Sequence, residues 1–343
     1  MFSALPLPWL LGAFAAAGAV VLLASLRMTA LADRIADRAG WGEALVGGVL
    51  LGGATSLSGL VVSVTSAWSG DASLAFSNGV GGIAAQTVFL AAADLAHRKA
   101  NLEHASAEPA NMFQGVLLMI LLVLPLVAWS APEVSVLGVH PVSLGMVAIY
   151  AYGVRVANEV RETPMWRPVE TDETRRDEPE DEAERGRSAL RPALLFAALA
   201  VMLALSGWVI AQVAGVVTAR YGIGSTVVGG ILTAVTTSLP ELVTTIAAVR
   251  RGALQLAVGG IIGGNMFDTL FLAASDAAYR DGSLYHAIGS GDLYWLATGL
   301  LMTAVVLGGQ IRREPRGPAG IGVESVALVA IYGLAVLVQG LAG

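Results

Sequence analysis

Two carboxylates set deep in apolar sequence, Glu241 and Asp268, are the residues of this chain best suited to chemistry. Each lies in a stretch long enough to cross a bilayer, where an ionised side chain costs about 2.5–3.5 kcal/mol on insertion scales. An acid retained there needs a counter-charge, a bound ion or a proton. No Lys or Arg lies at comparable depth, so an internal salt bridge is not expected. The alternative is a neutral, protonated carboxyl with a structural role. Pro240, just before Glu241, has no N–H and leaves the carbonyl of Thr236 without its helix partner, so a helix break is predicted there. The freed carbonyls and the hydroxyls of Thr237 and Ser238 would then face Glu241, unless the proline only kinks the helix. All are hard oxygen ligands, suited to Na⁺ or Ca²⁺ and not to soft transition metals. In the run 259–268 the glycine pairs Gly259-Gly260 and Gly263-Gly264 predict a second break, with Asn265 and Asp268 three residues apart on one face. Close helix packing explains glycine pairs equally well.

The elements that must position these residues are repeated. Residues 40–98 return at 222–280 with a constant offset of 182 and no gap, and 24 of 59 positions are identical. Gly47-Gly48 returns as Gly229-Gly230, Thr55-Ser56-Leu57 as Thr237-Ser238-Leu239, and Gly81-Gly82 as Gly263-Gly264. Paired repeats in apolar sequence usually place a transport site at their interface.

Composition fixes the broad class. Hydrophobic residues make up 55% of the chain and charged residues 13%, with 41 glycines in 343 residues. Soluble domains average about 25% charged residues, so the chain is read as an integral membrane protein. The absence of Cys excludes disulfides, thiolate metal sites and Cys nucleophiles. Before Trp9 there is no basic residue, which argues against a cleaved signal peptide and for a retained first span.

Apolar runs of about 20 residues give ten predicted spans: 8–30, 43–68, 73–96, 112–130, 136–154, 192–217, 225–249, 254–278, 292–311 and 320–340. With the sides numbered alternately, 18 of the 20 basic residues fall on one side, leaving only Arg220 and Arg280 on the other. By the positive-inside rule the basic side is cytoplasmic and both termini face outward. Five spans per half is an odd number, so the second half enters from the opposite face. The predicted fold is all-α: ten transmembrane helices as two inverted five-helix repeats, 1–154 and 192–343. Between them, 155–191 carries eight Arg and eleven acids and is read as a solvated cytoplasmic linker. Its acidic run 177–184 could sense a cation but lacks EF-hand spacing.

Thr237-Ser238-Leu239-Pro240-Glu241, followed by Gly263-Gly264-Asn265-Met266-Phe267-Asp268, resembles the second α-repeat of the cation/calcium exchanger superfamily, of the sodium/calcium exchanger type. That pattern is T-S-x-P-E followed by G-N-x-x-G-S-N-x-F-[ND], and the resemblance covers both repeats and the ten-span layout. It implies a cation site among spans two, three, seven and eight. Glu241 and Asp268 would be its acidic ligands, with oxygens from Thr236, Thr237, Ser238 and Asn265. Thr55, Ser56 and Gln86 would contribute from the first half. The first repeat departs from the pattern: Ser58-Gly59 stands where Pro-Glu is expected, Ile83 and Ala85 replace Asn and Phe, and Gly82 and Gly264 replace Ser. Asn78 is kept at the G-N position.

The function expected is secondary antiport of Ca²⁺ or another divalent cation against Na⁺ in a bacterial inner membrane. Two carboxylates balance one divalent or two monovalent ions, so exchange near two monovalents per divalent is expected. The alternatives are a proton-coupled exchanger and an ion-binding membrane protein that has lost transport. No phosphate-binding loop points to ATP, and no motif supports an intramembrane hydrolase. No cofactor is expected; the cations are cargo. The partners are lipid and inorganic cations, with no nucleic acid and no obligate protein. Among lesser features, Asp94 with Arg98 and Asp276 with Arg280 are read as i,i+4 ion pairs at span ends. Trp9, Trp129 and Trp295 are read as interfacial anchors, and Asp71 and Ser73 as caps of span three. The histidines 97, 104, 140 and 286 are read as loop residues, and Glu324 as a possible contributor to an ion path.

Overall fold

The computed structural model describes residues 2–39, 52–97, 100–169, 190–317 and 321–342. Gly47-Gly48, Arg98, Lys99 and the acidic run 177–184 lie outside the described residues. Among those described, the chain is helical, with one isolated bridge between Val136 and Val139. The first half contains α1 (Leu7–Ala39), α2 (Gly52–Trp68), α3 (Ala72–His97), the single turn α4 (Leu102–Ala105), α5 (Pro109–Ser130) and α6 (Pro141–Glu162). The second contains α7 (Leu190–Tyr221), α8 (Ser225–Arg251), α9 (Leu254–Ala278), the single turn α10 (Leu284–Ala287), α11 (Ser290–Arg312) and α12 (Val323–Ala342).

The offset of 182 seen over 59 residues governs both halves. The turn α4 and the turn α10 begin and end 182 residues apart, as do the starts of α3 and α9 and the starts of α6 and α12. The joints repeat as well. Gly70 between α2 and α3 has φ 84°, and its counterpart Gly252 between α8 and α9 has φ 87°. A tight connection between antiparallel helices needs a left-handed residue there, which glycine adopts at no steric cost. Pro109 and Pro141 begin α5 and α6, where the missing N–H is one that no helix would use.

Among the described residues eight helices are long and apolar enough to cross a membrane: α1, α3, α5, α7, α8, α9, α11 and α12. The ten expected include two more. Of these, α2 has 17 described residues, and the last two turns of α6 carry Arg155, Glu159, Arg161 and Glu162. Helix α6 therefore takes up the first eight residues, 155–162, of the expected linker. An exposed Arg155–Glu159 pair of 3.0 Å stands on its surface.

Helices α3 and α9 are the most buried, and each packs against both α2 and α8. Glycines permit this closeness: a Cβ on Gly81 would strike the backbone of Gly230, and one on Gly229 would strike that of Leu74. Helices α1 and α7 pack on each other around a second apolar cluster, which includes Leu10, Val21, Leu203 and Ile210 and reaches Val62 of α2 and Leu74 of α3. The remaining helices share the larger cluster around Phe76, Ile83, Leu118 and Trp295.

Three smaller expectations are corrected. Asp71 caps α3 by accepting from the N–H of Leu74, but Ser73 donates instead to Asp292 Oδ2 at 2.7 Å. Trp9 and Trp129 are exposed as anchors should be, whereas Trp295 is fully buried against Gly230 and Tyr332. Asp276 makes no ion pair with Arg280. Its carboxylate is fully buried and accepts from neutral donors, while Arg280 lies over the Trp68 ring at 5.7 Å. The Asp94–Arg98 pairing lies outside the described residues at Arg98.

Candidate functional site

Helix α8 brings Glu241 to the centre without breaking at Pro240. The helix runs unbroken from Ala234 to Arg251, and its irregularity is a π-helical stretch at Val228–Thr233. That wider turn coincides with Gly229-Gly230, where α3 presses closest. Helix α9 is likewise continuous through its glycines. Those glycines give room to side chains: Gly259 faces the Asn111 amide, and Gly264 faces Gln86 Oε1 at 3.4 Å.

Gln86 of α3 and Asp268 of α9 occupy the same repeat position, and they meet. Gln86 Nε2 donates to Asp268 Oδ2 at 2.6 Å and, more loosely, to Ser238 Oγ at 3.3 Å. Counterparts touch only where the two halves join, so this bond marks the junction. Asp268 is 2% exposed and Glu241 5%. Thr55 and Ser56 present their hydroxyls to Glu241, and Ser56 lies beside Asp268 as well. No basic side chain among the described residues pairs with either acid.

Many oxygens in this region have no hydrogen-bond donor within bonding geometry. They are both carboxylate oxygens of Glu241, Asp268 Oδ1, Ser56 Oγ, Gln86 Oε1 and Asn265 Oδ1. Buried acceptors are ordinarily satisfied, so a group of them around two acids is the arrangement that binds cations or protons. Among the described residues no three acids or imidazoles stand together in metal-holding geometry. Neutral oxygens would have to complete any coordination here.

Not every expected ligand turns inward. The Thr237 hydroxyl donates to the Thr233 carbonyl at 2.9 Å, leaving only its lone pairs toward Gly59. Thr236 directs its methyl to Gly18 of α1. Asn265 donates to Thr87 Oγ1 at 2.9 Å and lines a cavity of about 10 Å³ with Thr87 and Gln310, about the room of one water. Asn78 is a brace: it donates to the Gly59 carbonyl at 3.0 Å and to Ser63, and accepts from Thr233 at 2.7 Å.

Two site residues carried no sequence signal. Phe271 fills the room left by the missing first-half glutamate, because a Cβ on Gly59 would stand 2.8 Å from its ring. Tyr150, from α6, is close enough to feel the Asp268 charge and packs edge-on to Phe267.

The fold has relatives. The description "sodium/calcium exchanger protein" matches residues 9–157 and 191–341, on both sides of the linker. The inner membrane protein YrbG of Escherichia coli (strain K12) is 36% identical over 90 residues, 26% of this chain and 27% of YrbG. The sodium/calcium exchanger MaX1 of Methanosarcina acetivorans is 53% identical over 45 residues, 13% of each chain. The chain thus matches about a quarter, or less, of the length of these relatives. Among solved structures, the sodium-calcium exchanger NCX_Mj superposes with a TM-score of 0.61 at 14% identity, covering 96% of this chain and 98% of that one. The H⁺/Ca²⁺ exchanger CAX superposes with 0.65 at 15% identity, covering 96% and 85%. At such identities the likeness is one of fold. The match to both halves is what assigns the family: this chain belongs to the sodium/calcium exchanger protein family.

Proposed function

We propose that the protein is a secondary antiporter exchanging Ca²⁺, or another divalent cation, for Na⁺ by alternating access. The observation that carries this reading is the convergence of donor-less oxygens on Glu241 and Asp268. Leaving one buried acceptor unmet costs about 1–3 kcal/mol, and more when it is charged. One divalent or two monovalent cations would balance the two carboxylates, and the same oxygens cannot hold both at once. Competition for a single set of ligands is the basis of exchange. Thr55, Ser56, Ser238, Gln86 and Asn265 supply the neutral oxygens in this reading, with Thr237 through its lone pairs and Thr236 only through its backbone carbonyl.

The topology that goes with it is ten spans in two inverted five-helix halves. The termini face outward and the charged 155–191 linker is cytoplasmic, in a bacterial inner membrane. The one-sided distribution of basic residues and the pairing of helix ends at a constant offset support it. Helices α1 and α7 hold together through an apolar cluster that also takes in Val62 of α2 and Leu74 of α3. In this reading they are the pair that slides past the rest, and where α1 meets α8 the contact is the Thr236 methyl on Gly18.

Protons are the competing choice of coupling ion, because two donor-less carboxylates can also be balanced by two protons. Isotope flux into proteoliposomes, with Na⁺, H⁺ and several divalents varied in turn and Glu241→Gln as control, separates the readings. Flux that requires a Na⁺ gradient, at about two Na⁺ per divalent, supports the proposal. Flux that persists without Na⁺ and collapses with the pH gradient moves the coupling to protons. Normal flux in the Glu241→Gln protein overturns the site.

A further inference from the structure

Away from the centre, two corners of the molecule are built alike. In one, Asp94 at the end of α3 accepts from Leu102 N at 2.9 Å, Gly322 N at 2.7 Å and Ser325 Oγ at 2.8 Å. In the other, Asp276 at the end of α9 accepts from Leu284 N at 3.1 Å, His140 N at 2.7 Å and Ser143 Oγ at 2.7 Å. Every partner corresponds at the 182-residue offset. Even the histidines do: His104 bonds the Arg313 carbonyl, and His286 bonds that of Ala131.

The corners differ in what surrounds the aspartate. Tyr285 and Val142 stand beside Asp276, and Tyr285 is satisfied by Ser143 at 2.8 Å. At the same positions beside Asp94 stand Glu103 and Glu324. The point where a Cβ on Gly322 would lie is 3.1 Å from Glu324 Oε2, 3.2 Å from Glu103 Oε2 and 3.5 Å from Asp94 Oδ2. Glu103 is 2% exposed, and neither of its carboxylate oxygens has a hydrogen-bond partner. The Asp276 corner closes without any such acid, so the scaffold does not require Glu103 or Glu324.

Three buried acids share this corner, and no described cation pairs with them. Arg312 pairs with Glu314 at 3.2 Å, and Arg313 donates to the Val169 carbonyl. Helix α11 faces Glu103 with Gly309, followed by the neutral Gln310, whose amide is unpartnered. Asp94 already has three donors, so a neutralising ligand belongs to Glu103 and Glu324. The described acids offer no metal-holding geometry, which leaves the smallest cation.

We propose that Glu103, enclosed by Asp94 and Glu324, is a proton-binding site distinct from the Glu241–Asp268 centre. The proton resides on the Glu103 carboxyl, with Glu324 and Asp94 as the acids that face it. Burial, then the charge of Asp94, then that of Glu324 push the Glu103 carboxyl from 4.5 up to about 8. No charged group of α9 or α11 is among those acting on it. Asp94 lies eight residues beyond Gln86 on α3, about 12 Å along the axis, so the two sites are separate but share one rigid rod. Losing the proton places a second or third like charge where α3, α4, α11 and α12 meet.

Infrared difference spectroscopy of the purified protein tests this without relying on transport. In a Glu241→Gln/Asp268→Asn background, a carboxylic-acid carbonyl band is expected that fades as pH rises through about 8. Glu103→Gln should remove it. Glu324→Gln should keep the band but let it fade at lower pH, because one repelling charge is gone. A band indifferent to Glu103→Gln, or no titrating band at all, overturns the proposal. Should Glu103→Gln fail to fold, an unshifted titration in Glu324→Gln overturns it equally.

Discussion

At residue 59 the first half of the chain has a hydrogen atom, and at the matching residue 241 the second half has a carboxylate. Phe271 has moved into the difference, its ring edge 2.8 Å from where a Gly59 Cβ would be. At the next pair of counterparts Gln86 donates to Asp268, so a neutral amide in one half serves as ligand to an acid in the other. The two halves share helix ends, joints and hydrogen-bonded corners, yet both central carboxylates belong to one of them. Scaffold symmetry and site symmetry are thus separable. Helix packing depends on where backbones run, whereas the site depends on a few side chains that packing does not dictate.

The sharpest way to break this comparison is at the charged half. Glu241→Gln removes half the buried negative charge, a loss of the kind that costs about 2–5 kcal/mol at a buried charged contact. Affinity for the divalent cation should fall by about 100-fold or more, read as isotope binding or flux in proteoliposomes. Binding within a few-fold of wild type would mean the acid is structural.

Gln86→Leu tests the neutral half. It strips Asp268 Oδ2 of the donor at 2.6 Å, and a hydrogen bond to a charged group is worth about 1.5–3 kcal/mol. Weaker cation binding and lower thermal stability are both expected, with binding partly rescued by Gln86→Asn.

Making the halves alike should not come free. Gly59→Glu drives a side chain into Phe271, an overpacking of about 1–3 kcal/mol that lowers the melting temperature. Adding Phe271→Ala should recover part of that loss. If Gly59→Glu alone is as stable as wild type, the ring is not a fixed wall.

The two corners give the finest contrast. Tyr285→Phe loses one hydrogen bond, about 1 kcal/mol at every pH. Glu103 acts differently, because its proton is bound more tightly in the folded chain than in the unfolded one. Its contribution is fully present below 4.5 and is lost as pH rises to about 8. The stability of Glu103→Gln relative to wild type should therefore climb across that window and level off above it. Parallel melting curves would remove the distinction between the corners.

Much of this was legible before any coordinates. The constant offset, the Thr-Ser oxygens and the two deep acids point to the candidate site, because charge in an apolar segment is costly wherever the chain folds. Helix breaks were misjudged. A proline and paired glycines weaken a helix locally, but whether it breaks depends on the packing around it, and both α8 and α9 are held continuous among their neighbours. Asp276–Arg280 was misjudged for a related reason: i,i+4 spacing permits a pair, while burial of Asp276 among backbone donors decides against it. Trp295 looked like an interfacial residue and is core, since composition cannot tell which face of a helix meets lipid.

The sequence by itself determined that the chain is a helical membrane protein of two related halves, with the acids of its apolar centre, Glu241 and Asp268, in the second. Those features follow from local composition and period, which no packing can undo. Only the tertiary structure decided that Gln86 meets Asp268, that Phe271 fills the place of a glutamate, and that Glu103 and Glu324 close on Asp94 from elements up to 230 residues apart. Such contacts depend on how helices approach one another in three dimensions, and a linear pattern carries no record of that distance.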